Sequence, residues 1–234
     1  GTTGRRRVTR TLIVTAVEAE RAAVLTGLGR SGLSIDINAP STREAGVDVI
    51  AGGVGPAAAA AATAVTLSVA EVLGWPYQRV ISMGIGGAVA DRAAFGDIVI
   101  GTASIAADLG AQSPDGFLPI TDLGFGRDRI EASQVLVSDL ISAIGAPKFG
   151  VILTVTTATG RAERAAELAA LHPSALVEAM EGFGVACAAD ATHTPFAEVR
   201  TISNAVGPRD RAAWRIPDAL ASLTKAATAI GAES

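Results

Sequence analysis

Two pairs of acidic residues stand where strand-like segments give way to helix-like ones. Glu18 and Glu20 follow the apolar run 12–17, and Glu178 and Glu181 flank Met180 after the short apolar run 175–177. In α/β proteins ligands are held outside the carboxyl ends of the strands, so carboxylates there are placed to accept hydrogen bonds or take a proton. Gly182 and Gly184, just past Glu181, let backbone or ligand approach closely at some cost to helix stability. A plainer reading stands beside this one: Glu181 as a first-turn acid complementing the helix dipole, Glu20, like Glu18, as an exposed first-helix acid, and Met180 as core.

The elements that must position these residues alternate. Strands are expected over 12–17, 47–50, 79–83, 97–107, 149–154, 175–177 and 198–203. Helices are expected over 18–28, 56–73, 130–144, 162–171 and 217–230, with Pro56 suited to a first helical position. Strands that are nearly continuous in apolar residues imply a sheet covered on both faces. The expectation is a three-layer α/β/α fold around a central mixed, mostly parallel sheet. No internal repeat or linker-like shift in composition interrupts the chain. One domain over 11–234 is expected, with the basic, glycine-rich stretch 1–10 as a disordered leader or expression remnant.

Composition narrows the function. A formal net charge of -4, with no basic stripe carrying interleaved aromatics, argues against nucleic acid. The arginines at 5–7 are a short solvated patch. No run of about twenty uncharged apolar residues appears; 54–70 comes closest and its alanines and threonines read as a buried helix. Cys187 is the only cysteine, which favours a reducing compartment and a cytoplasmic location. With His172 and His193 as the only histidines, neither a zinc site nor a Ser-His-Asp triad is supported, and no metal or organic cofactor is implied.

Two glycine segments need separate treatment. Gly53-Val54-Gly55-Pro56-Ala57-Ala58 has the G-x-G-x-x-A form with Glu71 downstream, which raises dinucleotide binding. Against it, this is the second strand–helix unit and Glu71 falls late in the helix. Gly84-Ile85-Gly86-Gly87 lacks the Lys-Ser/Thr of a phosphate-binding loop. It reads either as a tight turn or as backbone pressed against a ligand.

Four segments taken together resemble the nucleoside phosphorylase and nucleosidase superfamily, from about Thr11 to the last helix. They are Ala16-Val17-Glu18-Ala19-Glu20, the glycine segment 82–88, Val177-Glu178-Ala179-Met180-Glu181-Gly182, and Arg200-Thr201-Ile202-Ser203-Asn204. Within it, Ala179-Met180-Glu181-Gly182, Ser203-Asn204-Ala205-Val206-Gly207 and Asp108-Leu109-Gly110-Ala111 leading to Pro114-Asp115-Gly116-Phe117 are most similar to the futalosine hydrolase family. Those enzymes cleave the N-glycosidic bond of futalosine, a 6-oxopurine nucleoside with a carboxyphenyl ketone tail. The products are hypoxanthine and dehypoxanthinyl futalosine, an intermediate in one menaquinone route.

The resemblance implies roles residue by residue. Glu20 would activate water, and Glu181 would accept the ribose 2′- and 3′-hydroxyls above a Met180 floor. Asn204 stands where the related methylthioadenosine nucleosidases carry an aspartic acid that protonates adenine. An amide cannot be that acid, but it offers a donor and an acceptor to a 6-oxopurine; as a plain turn residue it would do neither. Thr157, Ala158, Thr159, Phe183 and Ser203 are expected around the base, with Gly84, Ile85, Gly86 and Gly87 near the substrate. Phe117 and Leu118, in the expected loop 108–128, and Arg209 are candidates for the tail; Arg209 with Asp210 and Arg211 also reads as a solvated charge cluster. A homodimer or higher homo-oligomer is implied, with a small nucleoside as the only other partner. Phosphorylases of the superfamily ring their phosphate with arginines, which the glycine segment lacks, so water is the expected nucleophile. The alternatives are a 6-oxopurine nucleoside phosphorylase, a methylthioadenosine or adenosylhomocysteine nucleosidase, and a non-catalytic nucleoside-binding protein.

Overall fold

Strands form where the apolar runs lie, because those segments are covered on both sides. The computed structural model describes residues 9–30 and 46–232. β1 (Thr11–Thr15) is buried along its whole length and leads into α1 (Glu18–Gly27). β2 (Val47–Ala51) is followed by α2 (Pro56–Val72), with its proline in the first turn. Then come β3 (Arg79–Ala88), β4 (Ile98–Ala106), a hairpin of β5 (Gly110–Ser113) and β6 (Gly116–Pro119), β7 (Arg129–Glu131) and α3 (Gln134–Ile144). The chain closes with β8 (Lys148–Thr154), α4 (Ala162–Leu171), β9 (Ala175–Ala179), α5 (Gly182–Ala191), β10 (Phe196–Ala205) and α6 (Ile216–Gly231).

The main sheet runs β10-β4-β8-β9-β3-β1-β2, with β7 on β4, and β10 also pairs with β3. That extra pairing closes β3, β9, β8, β4 and β10 into a ring from which β1 and β2 extend. β3 makes this possible by its length. Residues 79–82 pair with β1, Gly87 and Ala88 pair with β9, and β10 runs along the other edge. Parallel pairings dominate, and β10–β4, β3–β9 and β4–β7 are antiparallel. The mixed, mostly parallel α/β architecture is therefore as expected, with the closure an addition that local sequence pattern does not carry.

Helices cover the sheet through apolar clusters. Val24 of α1 and Leu223 of α6 pack with Ile13, Ile81 and Met83. Ala59 and Leu67 of α2 and Val185 of α5 pack on Leu12 and Val14. Leu168 of α4 lies against Leu153 and Val151. Each such fully buried side chain contributes about 1.5–3 kcal/mol of transfer free energy.

Three expectations need correction. The glycine segment 84–87 is not a turn but the second half of β3. Small residues are required there because a Cβ on Gly84 would lie 2.6 Å from Arg200 Nη1 and 2.7 Å from Glu20 Oε1. The helix expected over 130–144 begins at Gln134, where Ser133 Oγ caps Leu136 N, and residues 129–131 alternate exposed, buried, exposed as β7. The stretch 108–128 is not wholly irregular, since it carries the β5–β6 hairpin. Most of the expected leader lies outside the described residues.

Candidate active site

The third residue of α1, Glu20, folds back over the end of β1. Its Oε2 accepts from the backbone amides of Ala16 at 2.9 Å and Val17 at 3.3 Å, and its Oε1 accepts from Ile85 N at 2.9 Å. A carboxylate has about four acceptor positions, so these three amides fix the group and leave one position for a water. Glu18, by contrast, is exposed and pairs with Arg21 at 2.9 Å.

Arg200, on β10, is fully buried and connects the acids. Its Nε donates to Glu198 Oε1 at 2.9 Å, its Nη1 to Glu181 Oε2 at 3.2 Å, and its Nη2 to Ser82 Oγ at 2.9 Å. Burial alone would lower the guanidinium's pKa, but the charges of Glu198, Glu181 and Glu20 overcome that and raise it. Glu181 sits at the start of α5, and its Oε1 accepts from Gly55 N at 3.3 Å. Gly55 has φ 91, a conformation that favours glycine, so the loop that looked like a dinucleotide fingerprint offers an amide to Glu181. Glu71 is exposed at the far end of α2. Burial pushes the Glu198 carboxyl up, and its Oε2 is a buried side-chain oxygen without a hydrogen-bond partner.

The other end of the site is built from strand ends and loops. Asn204 Oδ1 accepts from Ser203 Oγ at 2.8 Å, and its Nδ2 donates to Ala205 O at 2.9 Å. A Cβ on Gly87 would lie 2.9 Å from that Nδ2, so the amide rests over the glycine. In the loop after β8, Thr157 and Ala158 are exposed, while Thr159 donates from N and Oγ1 to Glu178, at 2.9 and 2.6 Å. Burial raises the Glu178 pKa; the two Thr159 bonds and the charge of Arg164 pull it back.

The comparisons with known proteins fit this geometry. A model of the phosphorylase superfamily matches residues 41–233. The chain is 50% identical over 217 residues to a futalosine hydrolase of Streptomyces coelicolor, covering 92% of each. It is 43% identical to a futalosine hydrolase of Acidothermus cellulolyticus, covering 94% of this chain and 90% of the relative. The native structure of futalosine hydrolase from Helicobacter pylori superposes with a TM-score of 0.79 at 18% identity, covering 97% of this chain and 99% of that one. This chain belongs to the phosphorylase superfamily, in the futalosine hydrolase family.

Within that family frame the remaining expected residues divide. Met180 is half-buried against the α4 cluster, and Ser203 is buried beneath Asn204. Phe183 buries its ring in the cluster between α2 and α5 and donates from its amide to Thr154 Oγ1 at 2.9 Å, a core position. Phe117 and Leu118 lie on β6, where the Arg164 guanidinium stands 5.8 Å from the Phe117 ring. Arg209 is exposed and lies 5.7 Å from the Trp214 ring.

Two of the arginines nearest the site's segments in sequence, Arg92 and Arg21, are engaged elsewhere. Arg92 donates to the carbonyls of Ala169, His172 and Ala175, tying down the end of α4. Arg21 donates to Val49 O and Glu18. Arg43 lies outside the described residues. Among the described residues no cluster of His, Cys, Asp or Glu is placed to hold a metal ion, and no helix is long and apolar enough to cross a membrane.

The sequence pattern gives no individual role to Arg200, Ser82, Glu198 or Trp214, and Gly55 reads there only as part of a dinucleotide-like loop. A signal for two of them was present: Glu198 and Arg200 are charged residues inside a strand otherwise fit for the core, and such residues are rarely fully buried unless paired.

Proposed function

We propose that this enzyme hydrolyses the N-glycosidic bond of futalosine, releasing hypoxanthine and dehypoxanthinyl futalosine for menaquinone synthesis. The observation that carries this is that Glu20 and Glu181, far apart in the chain, both stand by the buried Arg200: Glu181 Oε2 accepts from its Nη1 at 3.2 Å, and a Cβ on Gly84 would lie 2.6 Å from that Nη1 and 2.7 Å from Glu20 Oε1. N-ribosyl hydrolysis passes through a cation-like sugar, which fixed negative charge in a dry site stabilises without reorganising.

Each residue has a part. Glu20, with one acceptor position left, takes a proton from the attacking water. Glu181, oriented by Arg200 and Gly55, accepts the ribose hydroxyls above Met180. Asn204, held by Ser203, meets the oxo-purine edge, and Thr157, Ala158 and Thr159 border the base. Gly84, Ile85, Gly86 and Gly87 present their strand backbone to the sugar and base. Phe117, Leu118 and Arg209 reach for the tail, with the β5–β6 hairpin also serving a homodimer interface. A cytoplasmic setting suits the single thiol.

The engagement of Arg92 and Arg21 with their own backbone and neighbours favours water over phosphate as nucleophile. The test is to mix the purified protein with futalosine, inosine and methylthioadenosine, with and without phosphate, and identify the released base. Hypoxanthine from futalosine without phosphate is expected. Phosphate-dependent release from inosine would replace this reading with a phosphorylase, and adenine from methylthioadenosine alone would replace it with a nucleosidase of the other substrate class.

A further inference from the structure

Glu198 is a buried acid for which the reaction just described has no use. It lies on β10, fully buried, and its Oε2 has no hydrogen-bond partner. An ionised carboxylate in such a place costs stability even when paired, which makes it a candidate for a use outside folding.

Two contacts tie Glu198 to Glu181. The first runs through Arg200, whose Nε donates to Glu198 Oε1 at 2.9 Å while its Nη1 donates to Glu181 Oε2 at 3.2 Å. The second runs through the backbone of Gly182, the residue after Glu181. A Cβ there would stand 2.1 Å from both Glu198 oxygens, so a glycine is required for the head of α5 to settle on the acid. One guanidinium is thus shared between two carboxylates, one at the edge of the site and one behind it.

The sharing has an electrostatic consequence. With Glu181 as its sole close partner, Arg200 would cancel the charge that a ribosyl cation needs. With Glu198 ionised behind it, the guanidinium is already neutralised, and Glu181 presents a net negative charge to the sugar. Burial weighs against that ionisation; Arg200 on the same strand and the Ser104 hydroxyl of β4 weigh for it, and Glu181 at the head of α5 weighs against it. Glu20 of α1 acts on the far side of the guanidinium. β3 contributes the hydroxyl of Ser82, in register with Glu198, and β8 that of Thr154, 3.3 Å from Ser104 Oγ.

Resting on the hydrolase reading above, we propose that Glu198 is a positioning residue of the reaction, the counter-ion that occupies Arg200 from behind and leaves the charge of Glu181 free for the ribosyl cation. It touches no substrate atom.

The test compares wild type, Glu198→Gln and Ser104→Ala. The probes are two 9-deazahypoxanthine C-nucleosides that cannot be hydrolysed. In one the ring oxygen of the sugar is replaced by a protonated nitrogen, in the other by an uncharged carbon. Glu198→Gln is expected to weaken the charged probe and to lower kcat on futalosine by about tenfold or more, the effect of one unit charge acting across a protein interior. The neutral probe and KM are expected to change little. Equal losses on both probes, or none, overturn the assignment and leave Glu198 as a filler of the core. If Glu198→Gln does not fold, wild type against Ser104→Ala decides. As pH falls, the preference for the charged probe is expected to fall with protonation of Glu198. In Ser104→Ala that fall is expected at higher pH, because a group favouring the charged form is gone. A fall at the same pH in both proteins overturns the idea. Should wild type release no hypoxanthine from futalosine, the hydrolase reading fails alone, because both probes are read by binding without turnover.

Discussion

At one end of the site three carboxylates surround a single guanidinium inside the ring of strands; at the other, an amide and a loop hydroxyl stand near the surface. Two of these acids, Glu20 and Glu181, are held by backbone amides of three separate segments, at Ala16 and Val17, at Ile85, and at Gly55. Asn204 is held by its own neighbours, Ser203 and Ala205. Glu178, fastened to Thr159, gives the second end a buried acid as an anchor. The difference follows from what each end must do. Stabilising a cationic sugar requires charges that do not relax as the reaction proceeds, and low mobility provides that. Choosing among bases and tails requires only a few correctly placed donors and acceptors, which loops can exchange without disturbing the core.

The comparison can be broken at its strongest point first. Glu20→Gln should lower kcat by about a hundred- to ten-thousandfold while substrate still binds, measured by steady-state kinetics alongside equilibrium titration. Unchanged turnover would remove Glu20 from the chemistry. Arg200→Met should cost about 3–5 kcal/mol of folding stability, because it leaves Glu181 and Glu198 buried without their partner. Chemical denaturation reads this directly, and a loss below about 1 kcal/mol would mean that the acids are solvated after all.

At the second end the effects should be smaller and selective. Asn204→Asp should move preference toward the adenine-bearing analogue by about tenfold, read as a ratio of kcat/KM values, with little change in stability. A ratio that stays put would show that the amide does not face the base.

The smallest effect concerns Glu198. Burial holds its folded-state pKa above the ordinary value of 4.5. The folded protein therefore binds that proton more tightly than the unfolded chain does. Its contribution to stability is complete below 4.5 and is lost as pH rises through the folded-state titration. Glu198→Gln has no such titration, so its stability relative to wild type should improve as pH rises above 4.5, compared by denaturation midpoints. A constant difference across that range would show that Glu198 stays ionised throughout.

What was legible in the sequence follows the same division. Alternating apolar runs announced the strands and helices, because burial on both faces leaves a near-continuous apolar signal, and the helix 162–171 is found as α4. The start of α3 was less readable, since three residues of alternating pattern at 129–131 look equally well like a first helical turn. Glycines 84–87 left a turn and backbone pressed against a ligand equally open, because glycine usually punctuates, and the strand runs on through them instead. Here their reason is lateral crowding by Arg200, Glu20 and Asn204, which are remote in sequence. The closure of the sheet through β10–β3 was invisible for the same cause. Glu181 stands out from its position after a strand and Glu20 from the family resemblance, but the arginine between them shows its role only once β10 and β3 lie side by side.

The central claim is that a buried acid pair, Glu20 fixed by backbone amides and Glu181 oriented by Arg200, directs water, and not phosphate, at the sugar. Turnover of futalosine in ¹⁸O-labelled water with phosphate present tests it most directly. One labelled oxygen on the anomeric carbon of the released dehypoxanthinyl sugar, dependent on Glu20, is the predicted result. A sugar 1-phosphate, or labelling that Glu20→Gln leaves untouched in rate, would contradict it.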